Sequence, residues 1–177
     1  ELKEYTIYID GISKAYAATG VRVGWAFGPM DVLGKMKSIL GHVGAWAPKA
    51  EQVATAAYLS SPEKPEAFLF KMKEMVLQRL QGLYQGLQNL KTEGLPVDAI
   101  APQAAIYLTA QFDLVGKKRA DGSLINSVEE GTAYLLSEAK LAIVPFYAFG
   151  APKTSSWYRI SVGTVREDDV PNIIAGL

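Results

Sequence analysis

Three basic side chains stand in patterns that permit chemistry. Lys14 ends the run Asp10-Gly11-Ile12-Ser13-Lys14, and Arg22 follows in Gly20-Val21-Arg22-Val23-Gly24-Trp25. A lysine amine beside a cationic or apolar neighbour loses its proton readily, and the neutral amine forms a Schiff base with an aldehyde. An arginine one strand away can hold a phosphate through two parallel charge-assisted hydrogen bonds. The third, Arg159, lies in Trp157-Tyr158-Arg159-Ile160-Ser161. Strand alternation there sends Tyr158 and Ile160 to one face and the guanidinium to the other, toward a cleft. Each residue also has a plainer reading: Lys14 as a solvated lysine, Arg22 as a strand arginine paired with a carboxylate, Arg159 as a solvent-facing arginine.

Other chemistries are poorly supplied. Cys is absent and His occurs once, which removes disulfides, thiolate nucleophiles and thiolate metal sites together and leaves a metal centre short of ligands, so no metal is expected. Lys plus Arg number 18, as do Asp plus Glu, and a balanced charge disfavours capture of nucleic acid or an anionic membrane. No apolar run approaches the roughly 20 residues that cross a bilayer, and Glu-Leu-Lys-Glu-Tyr has no signal-peptide pattern, so the cytoplasm is the default location. With 177 residues and 49% hydrophobic content, the chain has enough apolar mass for one substantial core or two small lobes. It opens at Glu1 almost directly into a strand pattern and stops within a helical one at Leu177, and reads as a piece of a longer chain.

The elements that position these residues follow from periodicity. Tyr5-Thr6-Ile7-Tyr8-Ile9 and Val21 to Phe27 read as strands, placing Lys14 on their connection and Arg22 within the second. Helical spacing over 31–40 begins after Asp31, a possible cap, and resumes over 49–59 after a break at Gly41 to Pro48. From Pro65 to about Lys91 the apolar positions Leu69, Met72, Val76, Leu80, Leu83, Leu87 and Leu90 step by three or four. That is one long amphipathic helix, on the order of 35 to 40 Å at about 1.5 Å per residue. Its Gly82 and Gly86 read as tolerated glycines or as points of close helix approach. Beyond Gly94 and Pro96, Ala105–Phe112 is a strand, 117–122 a charged loop, and 128–139 a helix with Ser127 as a possible cap. Strands at 142–146 and 157–163 follow, and then a helix with Glu167, Asp168 and Asp169 at its start.

Four blocks in order give the chain a family likeness: Ser13-Lys14 with Arg22-Val23-Gly24-Trp25; Pro48 with Gln52; Pro102-Gln103-Ala104-Ala105-Ile106-Tyr107; and Arg159-Ile160-Ser161-Val162-Gly163. In these blocks the chain resembles the pyridoxal-phosphate (PLP) dependent aminotransferases of classes I and II, fold type I and aspartate aminotransferase-like. The likeness covers essentially the whole chain but only the carboxyl-terminal half of a family subunit. It implies an α/β fold in two parts: residues 1–60 as the end of the large PLP-binding domain, then 61–177 as a long linking helix and a small carboxyl-terminal α+β domain with a mainly antiparallel sheet.

By that resemblance Lys14 holds PLP covalently and acts as the catalytic acid and base on the substrate's Cα proton. Arg22 binds the cofactor phosphate, and Arg159 is the planar fork for the substrate α-carboxylate. Where many members have a phosphate-binding hydroxyl three residues before the lysine, this chain has Gly11; Ser13 is the available substitute, or caps the turn. Gly41 to Gln52, with His42, Trp46 and Pro48, matches a stretch that lies near the family's subunit interface. The resemblance further implies a homodimer acting on an amino acid, aspartate being one candidate, and a 2-oxo acid. The family's carboxylate for the pyridine nitrogen, its stacking aromatic and its glycine-rich phosphate turn all precede the lysine, beyond this chain, so the segment alone is expected to have little transaminase activity. Two rivals share these residues: another fold type I PLP enzyme, such as a carbon–sulfur lyase or a synthase, and a non-catalytic aminotransferase-like interaction or regulatory module.

Overall fold

The computed structural model describes residues 2–177, which form two compact units, one running to Met72 and the other Lys73–Leu177. In the first unit, β1 (Tyr8–Gly11) and β2 (Gly24–Phe27) pair antiparallel, with Tyr8 opposite Phe27 and Gly11 opposite Gly24. The connection between them carries the four-residue helix α1 (Ile12–Ala15) and a 3-10 turn at Thr19–Val21. Lys14 therefore lies between two strands, as its sequence context predicts. Helices α2 (Met30–Val43) and α3 (Lys49–Leu59) follow.

Three local readings are corrected in this unit. Residues Lys3–Tyr5 form a 3-10 turn rather than the start of a strand, because the Tyr5 N–H and the Thr6 hydroxyl both donate to the Leu2 carbonyl. Asp31 does not cap α2; the helix begins behind Pro29 with no side-chain cap, and Asp31 sits in the first turn, where its charge suits the positive helix end. Arg22 is not a strand residue: its backbone is left-handed at φ 61°, just before β2. Few side chains in this unit are fully covered, among them Ile12 and Val23 with the Thr55 hydroxyl, while Tyr5, Ile9, Met30 and Phe70 are exposed.

Helix α4 (Glu63–Thr92) is 30 residues long, has Pro65 in its first turn and is followed by Gly94 at φ 95°. The second unit is a four-stranded antiparallel sheet in the order β3 (Val97–Ala99), β4 (Tyr107–Phe112), β6 (Trp157–Ser161), β5 (Val144–Pro145). Burial alternates strictly along β4 and most of β6. Leu108, Ala110, Phe112, Tyr158 and Ile160 enter one core with Leu80, Leu83 and Leu87 of α4, Val128 and Leu135 of α5 (Val128–Ser137), and Val170 of α6 (Asp169–Ala175). Each such large apolar side chain contributes roughly 1.5–3 kcal/mol by leaving water, so the core fixes which sheet face remains for Arg159. The Ser127 hydroxyl caps α5 by accepting from the Glu130 N–H at 3.1 Å, as its position predicts.

The sheet differs from expectation at its edges. The strand expected at 142–146 shrinks to two residues because Pro145 has no N–H to offer and Phe146–Phe149 turns as a 3-10 helix closed by Gly150 at φ 92°. β4 starts at Tyr107 because Ala105 is left-handed at φ 64°. The short β3 gives no periodic signal over three residues. Gly82 and Gly86 face α6: a Cβ on Gly86 would lie 2.4 Å from Ile174 Cγ1, and one on Gly82 3.1 Å from Val170 Cγ1. Close helix approach, rather than tolerance, accounts for them.

Candidate functional site

The hairpin's glycines bring the Lys14 connection onto β2. A Cβ at Gly11 would stand 3.0 Å from the Val23 carbonyl oxygen, and one at Gly24 3.0 Å from that of Asp10, so neither position admits a side chain without moving backbone. With the strands this close, the Ile12 N–H donates to the Val23 carbonyl at 3.3 Å and starts α1. One turn of helix then presents Ser13 and Lys14. The Thr19 hydroxyl returns to the Ser13 carbonyl at 3.2 Å, and Arg22 Nη1 donates to the Thr19 carbonyl at 2.8 Å. The turn is thus tied at both ends by groups other than the Lys14 amine.

The result is a cleft of about 500 Å³ lined by Asp10, Gly11, Ser13, Lys14, Ala15, Arg22, Val23 and Gly24. Two cations and a hydroxyl line it together. Asp10 is occupied locally: its carboxylate accepts from the Tyr8 hydroxyl at 2.8 Å and the Gly11 N–H at 2.7 Å. The Tyr8 hydrogen bond, followed by that of Gly11, holds the Asp10 carboxyl below its usual range, and the same contact raises Tyr8. Ser13 forms no helix cap; the residue before α1 is Gly11, without a side-chain cap.

Arg159 is in the second unit, on the sheet face away from the core. It pairs with Thr109 of β4 and Val144 of β5. Its guanidinium carbon lies 4.5 Å from the ring centroid of Tyr107 and 4.5 Å from that of Phe149. Its Nε is buried without a hydrogen-bond partner. The ion pairs among the described residues are Lys91–Asp98, Arg119–Glu130 and Arg166–Asp169, none involving Arg159. It is half-buried between the two rings rather than freely solvent-facing. Tyr107 is its diagonal neighbour across β4 and β6; neither this register nor the contact with Phe149, on an unpredicted turn, was read from the sequence.

The loop expected at Gly41 to Pro48 is shorter in the structure, because α2 runs on through Val43 and α3 starts at Lys49, which leaves only 44–48 between them. Gly44 at φ 66° ends α2, Gln52 Nε2 donates to the Ala47 carbonyl at 2.6 Å, and the Trp46 ring reaches back to Gly41. His42 sits in the last turn of α2 with no metal-ligating cluster around it; none occurs among the described residues.

The family model for class I and II aminotransferases matches residues 1–177. The chain belongs to that family. Among curated relatives it is 34% identical over 152 residues to an aspartate aminotransferase of Geobacillus stearothermophilus, covering 86% of this chain and 36% of the relative. It is 33% identical over 164 residues to one of Rhizobium meliloti, covering 92% of this chain and 38% of the relative. The chain thus spans less than two fifths of the length of these relatives. Among solved structures, the aspartate aminotransferase of Rhizobium meliloti superposes with a TM-score of 0.85 at 30% identity, over 99% of this chain and 41% of that one. An aspartate aminotransferase of Thermus thermophilus with maleate gives 0.82 at 26% identity, over 98% of this chain and 41% of that one. The α/β class and its small antiparallel carboxyl-terminal sheet agree with that fold.

The donor set suits the family's cofactor at one end. A free amine, a guanidinium with further N–H donors and a hydroxyl share one ligand-sized cleft, a combination that matches an aldehyde carried beside a phosphate. No helix of the described residues is long and apolar enough to cross a membrane.

Proposed function

We propose that the chain is the carboxyl-terminal part of a PLP-dependent aminotransferase that moves the amino group of an α-amino acid, aspartate among the candidates, to a 2-oxo acid. The observation that carries this reading is the cleft in which Lys14, Ser13 and Arg22 stand together. When bound, the cofactor supplies the electrophilic aldehyde and the sink for the electrons left on the substrate's Cα. Lys14 Nζ holds the cofactor and takes and returns the Cα proton, which its exposed amine on a tied turn is free to do. Arg22 and Ser13 bind the phosphate; Arg22 Nη1 is fixed on Thr19, which aims the remaining N–H groups rather than spending them. Arg159 orients the substrate by its α-carboxylate.

In this reading residues 1–60 belong to the large PLP-binding domain and 61–177 form the linking helix and small domain. The working enzyme in this reading is a homodimer, as the family likeness implies.

The test is to mix the chain with PLP, reduce with borohydride and map the added mass. Modification concentrated on Lys14 is expected, with little transaminase turnover by the segment alone. Labelling spread over many lysines would defeat the reading of this cleft.

A further inference from the structure

A cation inside a protein is usually held by a carboxylate, which consumes its N–H donors and cancels its charge. Arg159 is held differently. Two aromatic rings, Tyr107 from β4 and Phe149 from the 3-10 turn after β5, approach its guanidinium carbon at 4.5 Å each, and the buried Nε keeps no partner. Ring faces attract a guanidinium through their quadrupole while leaving the in-plane N–H groups unspent. They also exclude water from part of the group and restrict its rotamers before any ligand arrives, which is preorganisation. Both are placed by backbone rather than by chance contact. Tyr107 lies diagonal to Arg159 on one sheet face, and the Phe149 turn is closed by Gly150 and Ala151 N–H groups donating to the Tyr147 and Phe146 carbonyls.

We propose that Tyr107 and Phe149 are positioning residues that hold the Arg159 guanidinium, charged and with its donors free, for a planar carboxylate. The proposal rests on the reading of Arg159 as the carboxylate fork. Phe149 is 55% exposed, so its replacement disturbs the core little, and any effect it has on carboxylate binding runs through the arginine.

The experiment is NMR of the whole 177-residue chain, following the Arg159 Nε–H signal while titrating maleate through the millimolar range. Ring currents from both aromatics should set this signal apart from the other arginines, and maleate should shift it. Phe149→Leu, of similar size but without a ring face, should move the signal toward the ordinary position and weaken maleate binding roughly two- to tenfold, the range expected when one long side chain must be ordered on binding instead of beforehand. Phe149→Tyr should restore both, and Tyr107→Leu should behave as Phe149→Leu does. If Arg159→Lys abolishes binding while Phe149→Leu and Tyr107→Leu match the wild type, the proposal falls and the carboxylate reading of Arg159 stands. If maleate leaves the Arg159 signal unmoved, that reading falls and the proposal falls with it.

Discussion

Gly86→Ala should destabilise the second unit, although alanine is the better helix former. In an exposed helix interior the substitution favours folding by about 1 kcal/mol. Here the new methyl would lie 2.4, 2.6 and 3.2 Å from Cγ1, Cδ1 and Cγ2 of Ile174, where carbons prefer about 3.5–4.0 Å. Two of those carbons are rooted on a branched Cβ with a stiff χ1, so α6 itself must give way. Overpacking of this kind costs about 1–3 kcal/mol. With the upper part of that range applying and the propensity gain subtracted, the net loss is about 1–2 kcal/mol. Gly82→Ala is the internal control: its methyl would meet only Val170, Cγ1 at 3.1 Å and Cβ at 4.0 Å, and a shift of a few tenths of an ångström leaves it near neutral or slightly stabilising. Urea unfolding of the chain, read by near-ultraviolet circular dichroism, should show the midpoint of Gly86→Ala falling by about 0.5–1 M for ordinary slopes, with Gly82→Ala unchanged or higher. Ile174→Ala added to Gly86→Ala should recover part of the loss. A Gly86→Ala variant as stable as Gly82→Ala would refute the account of how α4 meets α6.

Three further outcomes follow from the geometry. Arg22→Gly relieves a left-handed non-glycine backbone at φ 61°, about 1 kcal/mol, but loses the hydrogen bond to the Thr19 carbonyl, which is of similar size; stability should therefore change little in urea while PLP capture weakens, measured as reduced borohydride-trapped label on Lys14. Ser127→Ala removes the cap on the Glu130 N–H and should lower stability by about 1 kcal/mol in urea. Asp98 has its pKa lowered, first by the Lys91 hydrogen bond and then by that of Gln88; its contribution is therefore present above the usual carboxylate pKa of 3.8 and lost as pH falls below it. Asp98→Asn should accordingly lie below the wild type in urea midpoint at pH 7, with the gap narrowing as pH falls below 3.8; a gap independent of pH would count against the linkage.

Much of the fold was legible because its longer elements obey a period. The spacing of Leu80, Leu83 and Leu87 announced the face of α4 that is buried, and Tyr158 and Ile160 announced the face of β6. What escaped had no period to read. β3 has three residues, and the Phe146–Phe149 turn, which cuts the strand expected at 142–146 down to β5, is set by a proline and a left-handed glycine acting together. Lys14 and Arg22 were visible as residues, but the strand pattern around Arg22 concealed its left-handed backbone, which depends on the Thr19–Val21 turn and the contact of its own side chain with Thr19. The face of β6 that carries Arg159 was visible from its alternation, but its two aromatic neighbours, Tyr107 across the sheet and Phe149 on the turn, emerge only in three dimensions.

The edges of the four-stranded sheet have a consequence for how the chain fares among its own copies. An exposed strand edge is a template for adding another strand, and long flat edges seed aggregates. This sheet ends on one side in the three residues of β3 and on the other in the two of β5, one of them Pro145. Neither border offers a run of backbone donors and acceptors long enough to recruit a neighbour, and the proline lacks a donor altogether. While it is being synthesised, or at high concentration in a cell, the second unit is therefore guarded against strand-by-strand polymerisation by the brevity of its outermost strands.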